Sequence, residues 1–247
     1  YSGGVKSAAI GLTSRETINR NHAMLTDIQA VSGSFNQNPM RQDVEEIGQR
    51  IKVNYALNTV MDQNKQVLDV FFGEPLAVMQ AAIPLVNRIY KVPVEQHYDL
   101  VIVSPGGHPK DINLYQAQKG LTHAARITKD NGWIILLAAC PEGAGSDHFE
   151  AYVHSKNSYQ QILADFSTET FSVGPHKAFQ IARDAVRTQI ILVTDMPEEV
   201  VKGLYLEPCS PKQVNAKIAH ILESLPSSSP IALMPMGTTT IPTLKTK

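Results

Sequence analysis

Tyr115, Gln116 and Lys119 close the run Ser104-Pro-Gly-Gly-His-Pro-Lys-Asp-Ile-Asn-Leu-Tyr-Gln-Ala-Gln-Lys119. Their spacings of three and four residues put all three on one face of a helix. A phenol, an amide and an ammonium side by side suit a small anion such as the carboxylate of a hydroxy acid. Gly106 and Gly107 let the backbone approach a ligand. Asp111 is a plausible N-cap, so the positive end of the helix would point at the same space. The same spacing also describes a surface Tyr-Lys pair on an amphipathic helix.

A Tyr-x-x-x-Lys pair is similar to that of the short-chain dehydrogenases, in which the lysine lowers the pKa of a catalytic tyrosine. That alternative predicts NAD(P) binding at Tyr115 and Lys119. However, no strand leading into G-x-G-x-x-G precedes Tyr115. A further alternative is a non-catalytic α/β binding module.

Lys6 follows Ser2-Gly3-Gly4 in a flexible loop, and His22 lies sixteen residues on. Read alone, these are a solvated charge and a lone helical histidine, since one His cannot make a three- or four-ligand metal site of protein groups. His108 and His176 fall in strand-end loops. His97, His123, His148, His154 and His220 show no ligand spacing. Cys140 ends an apolar strand and reads as buried. No G-x-S-x-G supports a serine nucleophile.

The elements that must position these residues change character along the chain. Thr13-Ser-Arg-Glu16 fits a capping box opening a helix from about Ser14. Ser32 to Pro39 reads as loop, Asp43 to Ile51 as helix, Val53 to Val60 and Gln66 to Phe72 as a hairpin. Glu74 to Tyr90 reads as a helix kinked at Pro84. After Val92-Pro93 short apolar strands alternate with helices: strands at Tyr98–Val103, Trp133–Cys140, Gln189–Thr194 and Ile231–Met234, and helices at about Asp111–Lys129, Lys177–Arg187 and Pro211–Leu225. This is the pattern of an α/β chain with a parallel sheet wrapped by helices. Residues 1–92 are expected to form one domain and 93–247 a second. Ligands of such sheets sit beyond the strands' carboxyl ends, which singles out the loops after Val103, Cys140 and Thr194.

Composition sets the outer bounds. At 247 residues, 43% hydrophobic and 18% charged, the chain can bury a core without disulfide or metal staples. A net charge of -1, from 22 basic and 23 acidic residues, carries no footprint for nucleic acid. No apolar run approaches the ~20 residues that span a bilayer. The two cysteines allow at most one bridge. A cytoplasmic enzyme with neither nucleic-acid nor membrane partner is expected. Because the chain opens at Tyr1 inside a glycine loop, it reads as the later part of a longer protein.

Taken together, these segments resemble the lactate racemase family. The match is carried by Tyr1-Ser-Gly-Gly-Val-Lys6 with Asn21-His22, by Asn38-Pro-Met-Arg-Gln-Asp-Val-Glu-Glu, by Ser104 to Lys119, and by Cys140-Pro-Glu-Gly-Ala-Gly with Gly174-Pro-His-Lys-Ala. The resemblance implies two α/β domains, the second Rossmann-like and the first incomplete. It also implies an isomerase acting on a 2-hydroxy acid by reversible hydride transfer to a nickel-pincer nucleotide. Lys6 would carry that cofactor covalently through a thioamide. His22 would be the protein ligand of nickel, and soft sulfur in square-planar geometry suits Ni(II). Tyr115, Gln116 and Lys119 would line the substrate pocket, with Phe179 as an aromatic neighbour. Maturation proteins would load the cofactor, and the family's acid-base histidine pair would precede Tyr1, so this chain by itself would be inactive. Which 2-hydroxy acid is used is not written in these motifs.

Overall fold

The structure is a computed structural model that describes residues 1–169 and 171–245. The chain divides into two compact units, Tyr1–Lys91 and Val92–Lys247.

The first unit opens with α1 (Lys6–Ala9), α2 (Arg15–Ala23), a 3-10 turn at Met24–Thr26 and α3 (Pro39–Arg50). Ser14, not Thr13, caps α2, accepting from the Thr17 N–H. Asn38 caps α3 by accepting from the Arg41 N–H, with Pro39 at the first helical position. That cap starts α3 four residues before the expected Asp43. Gly48 of α3 is where α1 lies against it: a Cβ there would sit 2.4 Å from the Val5 Cβ. Val5, Ala9 and Val44 form the small core between them. Next come β1 (Ala56–Met61) and β2 (Val67–Gly73), an antiparallel hairpin, and α4 (Pro75–Tyr90), which continues through Pro84. Only one face of β1 is buried, at Ala56 and Val60, and β2 is exposed along most of its length.

The second unit carries β3 (Lys91–Val94), β4 (Tyr98–Val103), α5 (Leu114–Ala125), β5 (Thr128–Leu137), α6 (Asp147–His154), α7 (Tyr159–Thr168) and α8 (Pro175–Ala185). It continues with β6 (Gln189–Val193), α9 (Glu198–Gly203), β7 (Glu207–Cys209), α10 (Val214–Ser224), β8 (Ile231–Met234) and β9 (Ile241–Leu244). Five strands form one parallel sheet in the order β7-β6-β5-β4-β8. The runs 100–103, 133–137 and 190–193 of β4, β5 and β6 are continuously apolar because both faces are covered, whereas Ile231 and Leu233 of the edge strand β8 are exposed. Val101 and Val103 join α5 to α9 in one core, while Leu100, Ile135 and Ile191 meet Ile218 and Ile221 of α10 in the other. An α/β fold with a parallel sheet between two helical layers is therefore observed.

The second unit also differs in places from the sequence reading: β5 runs over Thr128–Leu137 rather than Trp133–Cys140. Helix α5 is shorter at both ends than Asp111–Lys129: Asn113 caps it by accepting from the Gln116 N–H at 3.0 Å, and the chain turns at Ala124–Ile127 into β5. Strands β3 and β9, which pair with each other, have no counterpart in it; their four-residue, Pro-containing segments are too short to show a period.

From β4 the sheet grows through β5, β6 and β7 in one direction, and β8 returns to the other side of β4. The carboxyl ends of β4 and β8 thus flank the point where the winding reverses, the usual ligand position of such sheets. There the Gly237 N–H donates to the Ser104 carbonyl at 2.7 Å, joining the two loops.

Candidate functional site

In the second unit the loop after β4 leads directly into α5. The Ser104 hydroxyl accepts from the Gly106 N–H at 3.2 Å, and Gly106 and Gly107 both have positive φ. Apart from its two chain neighbours, no atom of the described residues lies within 4 Å of where a Gly107 side chain would start, so this turn faces open space. The amino end of α5 is not an open anion site. Its Leu114 and Tyr115 N–H groups donate to the Gly143 and Ala144 carbonyls, both at 3.0 Å, and Asn113 takes the Gln116 N–H. The expected contribution of the helix N-terminus at Asp111 is therefore absent, and side chains must supply the positive charge.

Tyr115, Gln116 and Lys119 do share one face of α5. The Lys119 Nζ, on an exposed side chain, donates to Gln116 Oε1 at 2.7 Å. Tyr115 is half-buried, and burial raises its phenol pKa. Behind it stand two residues of α8 to which the sequence assigned no role. The His176 Nε2 is 3.3 Å from the Tyr115 Oη, with the rings edge to face. The Lys177 Nζ lies 4.9 Å from the Tyr115 ring centre and donates to Gln118 Oε1 at 2.9 Å. Gln118 in turn donates to Thr122, and Thr122 to Asp184, at 2.6 and 2.7 Å. His176 is the second residue of α8 rather than part of a loop. Gly174-Pro175 is a helix-start signal that places His176 and Lys177 in the first turn of α8, though not against Tyr115.

Phe179 is buried and stacks on Phe166 at 4.7 Å. Cys140 is buried in the loop that follows the central strand β5, three residues beyond its end rather than within it, and burial pushes its thiol up to about 12, far from a thiolate nucleophile. His123 is buried, its Nδ1 donating to the Gly237 carbonyl at 2.7 Å. A hollow of about 500 Å³, lined by residues such as His97 and Arg187, lies at the amino ends of β4 and β5, away from the ligand end.

The first unit builds the surroundings of Lys6 and His22. Gly3 and Gly4 have positive φ, and a Cβ on either would approach Asn58 or Met79 to 2.8 Å. The Gly4 N–H donates to Asn58 Oδ1 at 2.9 Å, and Arg41 Nη2 donates to the Gly3 carbonyl at 3.1 Å. Arg41 is 5% exposed and pairs with buried Glu45, while its Nε and Nη1 are buried and have no hydrogen-bond partner among the described residues. This anchored loop delivers an exposed Lys6 at the first position of α1. His22 is half-buried, and its Nδ1 donates to the Ile18 carbonyl at 2.9 Å. In the neutral ring that bond leaves the lone pair on Nε2, the arrangement found for metal-binding histidines. Among the described residues no group of three or more His, Cys, Asp or Glu could hold a metal ion. No helix among them is long and apolar enough to cross a membrane.

Residues 94–241 match the family model of the lactate racemase C-terminal domain. The chain belongs to the lactate racemase family. It is 29% identical to the lactate racemase of Thermoanaerobacterium thermosaccharolyticum over 98% of its length and 57% of that protein's. It is 28% identical to the lactate racemase of Lactiplantibacillus plantarum over 84% of its length and 50% of that protein's. The structure of the lactate racemase apoprotein from Thermoanaerobacterium thermosaccharolyticum superposes with a TM-score of 0.91 at 27% identity, over 98% of this chain and 59% of that one. A Thermotoga maritima protein at 17% identity and a TM-score of 0.66 shares the fold. The chain thus spans about half the length of the racemases it matches, 57% of one and 50% of the other. The relatives with a named activity are lactate racemases, and the short-chain dehydrogenase alternative has no support.

Proposed function

We propose that this chain is part of a racemase or epimerase of a 2-hydroxy acid that uses a nickel-pincer nucleotide. Tyr115, Gln116 and Lys119 hold the substrate, and Lys6 and His22 hold the cofactor. The observation that carries the reading is the donor set on α5, an exposed ammonium fixed by Gln116 one turn from a phenol, at the winding reversal of a racemase-family sheet.

The residues of the first unit fit the cofactor. Lys6 offers an exposed amine on an anchored loop. His22 offers one imidazole nitrogen, which suffices where the organic group supplies the remaining ligands. The two unpartnered donors of Arg41, whose Nη2 holds this loop, match a group rich in acceptors. The chemistry such a group supplies when bound is reversible acceptance of hydride from the substrate α-carbon.

The chain's own residues do the rest by holding charge in place. The Lys119 ammonium pairs with the substrate carboxylate. Gln116 fixes that ammonium through its Oε1 and keeps its amide N–H groups for a second acceptor. The Tyr115 hydroxyl donates to the same anion. Anchoring the carboxylate lets the α-carbon flatten and present its other face without release of the keto acid.

The test is co-expression of the full-length protein with maturation enzymes. About one nickel per chain and a mass increase confined to Lys6 are expected, together with interconversion of the two enantiomers of a 2-hydroxy acid by chiral chromatography. His22→Ala should lose the nickel. An unmodified Lys6 after maturation would overturn the cofactor assignment.

A further inference from the structure

We propose that His176 is a positioning residue that sets the direction of the Tyr115 hydroxyl proton. The inference deepens the substrate site proposed above, but its physical core rests on hydrogen bonds within the second unit alone.

The polarity follows from three atoms. The Gly174 N–H donates to His176 Nδ1 at 3.2 Å, so this nitrogen carries the lone pair. A neutral imidazole accepting at Nδ1 has its proton on Nε2. That N–H faces the Tyr115 Oη at 3.3 Å, and a protonated nitrogen cannot accept from the phenol. The imidazole is therefore the donor and the phenol oxygen the acceptor. Among the described residues His176 is the hydrogen-bond partner of that hydroxyl. The phenol hydrogen consequently points away from α8, and the hydroxyl acts as a donor toward whatever anion Lys119 attracts.

Each piece of this device is held. Gly174 has a φ of 114°, and a Cβ there would fall 2.8 Å from the His148 Cβ, so glycine is required to bring its N–H to this place. His176 is 8% exposed and lies beside the Phe171 ring with centroids 5.7 Å apart, which limits rotation of the imidazole. A tyrosine hydroxyl without such a partner rotates between donor and acceptor roles, and as an acceptor it would repel no cation but would also hold no carboxylate.

Two polar substitutions separate this role from simple packing. His176→Gln places an amide nitrogen near the Nε2 position and keeps the bond to Tyr115. His176→Asn keeps an acceptor for the Gly174 N–H but falls short of the phenol. In the chain labelled with 13Cζ-tyrosine, with Tyr115→Phe assigning the signal, a donor to the oxygen stabilises the phenolate. Loss of that donor should raise the Tyr115 pKa by about one unit in His176→Asn, equivalent to a tenfold change. His176→Gln should stay within a few tenths of the parent. An unchanged titration in a folded His176→Asn chain, or equal shifts in both variants, would overturn the proposal. This readout needs neither substrate nor cofactor, so it stands if the racemase reading falls. In the matured enzyme His176→Asn should raise KM for the hydroxy acid several-fold while kcat falls less. A shifted titration with unchanged KM would show that the hydroxyl proton is set but not used on substrate.

Discussion

Lys177 and Tyr115 meet face to point: the amine lies 4.9 Å from the ring centre on a side chain only 6% exposed. Its hydrogen-bond partner is the Gln118 amide oxygen at 2.9 Å. A buried ammonium with a π face and one amide is poorly compensated for its lost hydration. Burial first, and the nearby charge of Lys119 second, bring its pKa down to about 7. The charge state of the floor beneath Tyr115 therefore changes near neutral pH.

That shift makes stability depend on pH. The folded-state pKa lies below the unfolded one, so between about pH 7 and 10.5 the unfolded chain binds more protons. Stability should rise with pH through this window, by at most about 1.4 kcal/mol per pH unit, and level off on either side. Lys177→Met should remove the slope while adding a constant cost of about 1–3 kcal/mol for the unsatisfied Gln118 oxygen. Urea unfolding from pH 6.5 to 10 checks it, and parallel parent and variant curves would contradict it.

Lys119 supplies charge rather than packing, since its side chain is exposed and bonded to Gln116. In the matured enzyme Lys119→Ala should lower kcat/KM about 10- to 100-fold, the value of a charge-assisted hydrogen bond of ~1.5–3 kcal/mol. Nickel content by elemental analysis should not change. Metal loss in this variant would remove Lys119 from the substrate site.

Arg41 and Glu45 are a buried pair, and Arg41 also holds the Gly3 carbonyl of the Lys6 loop. Glu45→Ala leaves a guanidinium buried without its counter-charge and should cost about 3–5 kcal/mol. Hydrogen exchange at Gly3 to Lys6 should accelerate along with the fall in unfolding midpoint. Protection of that loop unchanged in a destabilised variant would show that the pair does not anchor it.

Gly145 has a φ of 85°, and a Cβ there would fall 2.3 Å from Asn113 Cγ. Gly145→Ala should displace the Asn113 cap, adding its loss of about 1 kcal/mol to a left-handed backbone cost of about 1–2 kcal/mol. For a chain of this size the midpoint should drop by roughly 4–12 °C, read by thermal unfolding.

Local rules made much of this protein legible in the sequence. The alternation of apolar runs with helices after Val92-Pro93 fixes an α/β sheet, because strands covered on both faces leave an unbroken apolar signature. The i, i+3, i+4 spacing on α5 does bring Gln116 to Lys119. Where neighbouring residues could both cap a helix, as with Asp111 against Asn113 and Thr13 against Ser14, the cap lay one or two residues later than expected. Which α5 donors stay available was decided by residues 29 positions away, since Gly143 and Ala144 occupy the N–H groups of Leu114 and Tyr115. His176 and Lys177 reach Tyr115 only because α8 packs on α5, and a contact across some sixty residues leaves no periodic trace in a chain. Sequence spacing thus determined which side chains share a helix, and tertiary packing decided which of them hold a charge, direct a proton or stay silent.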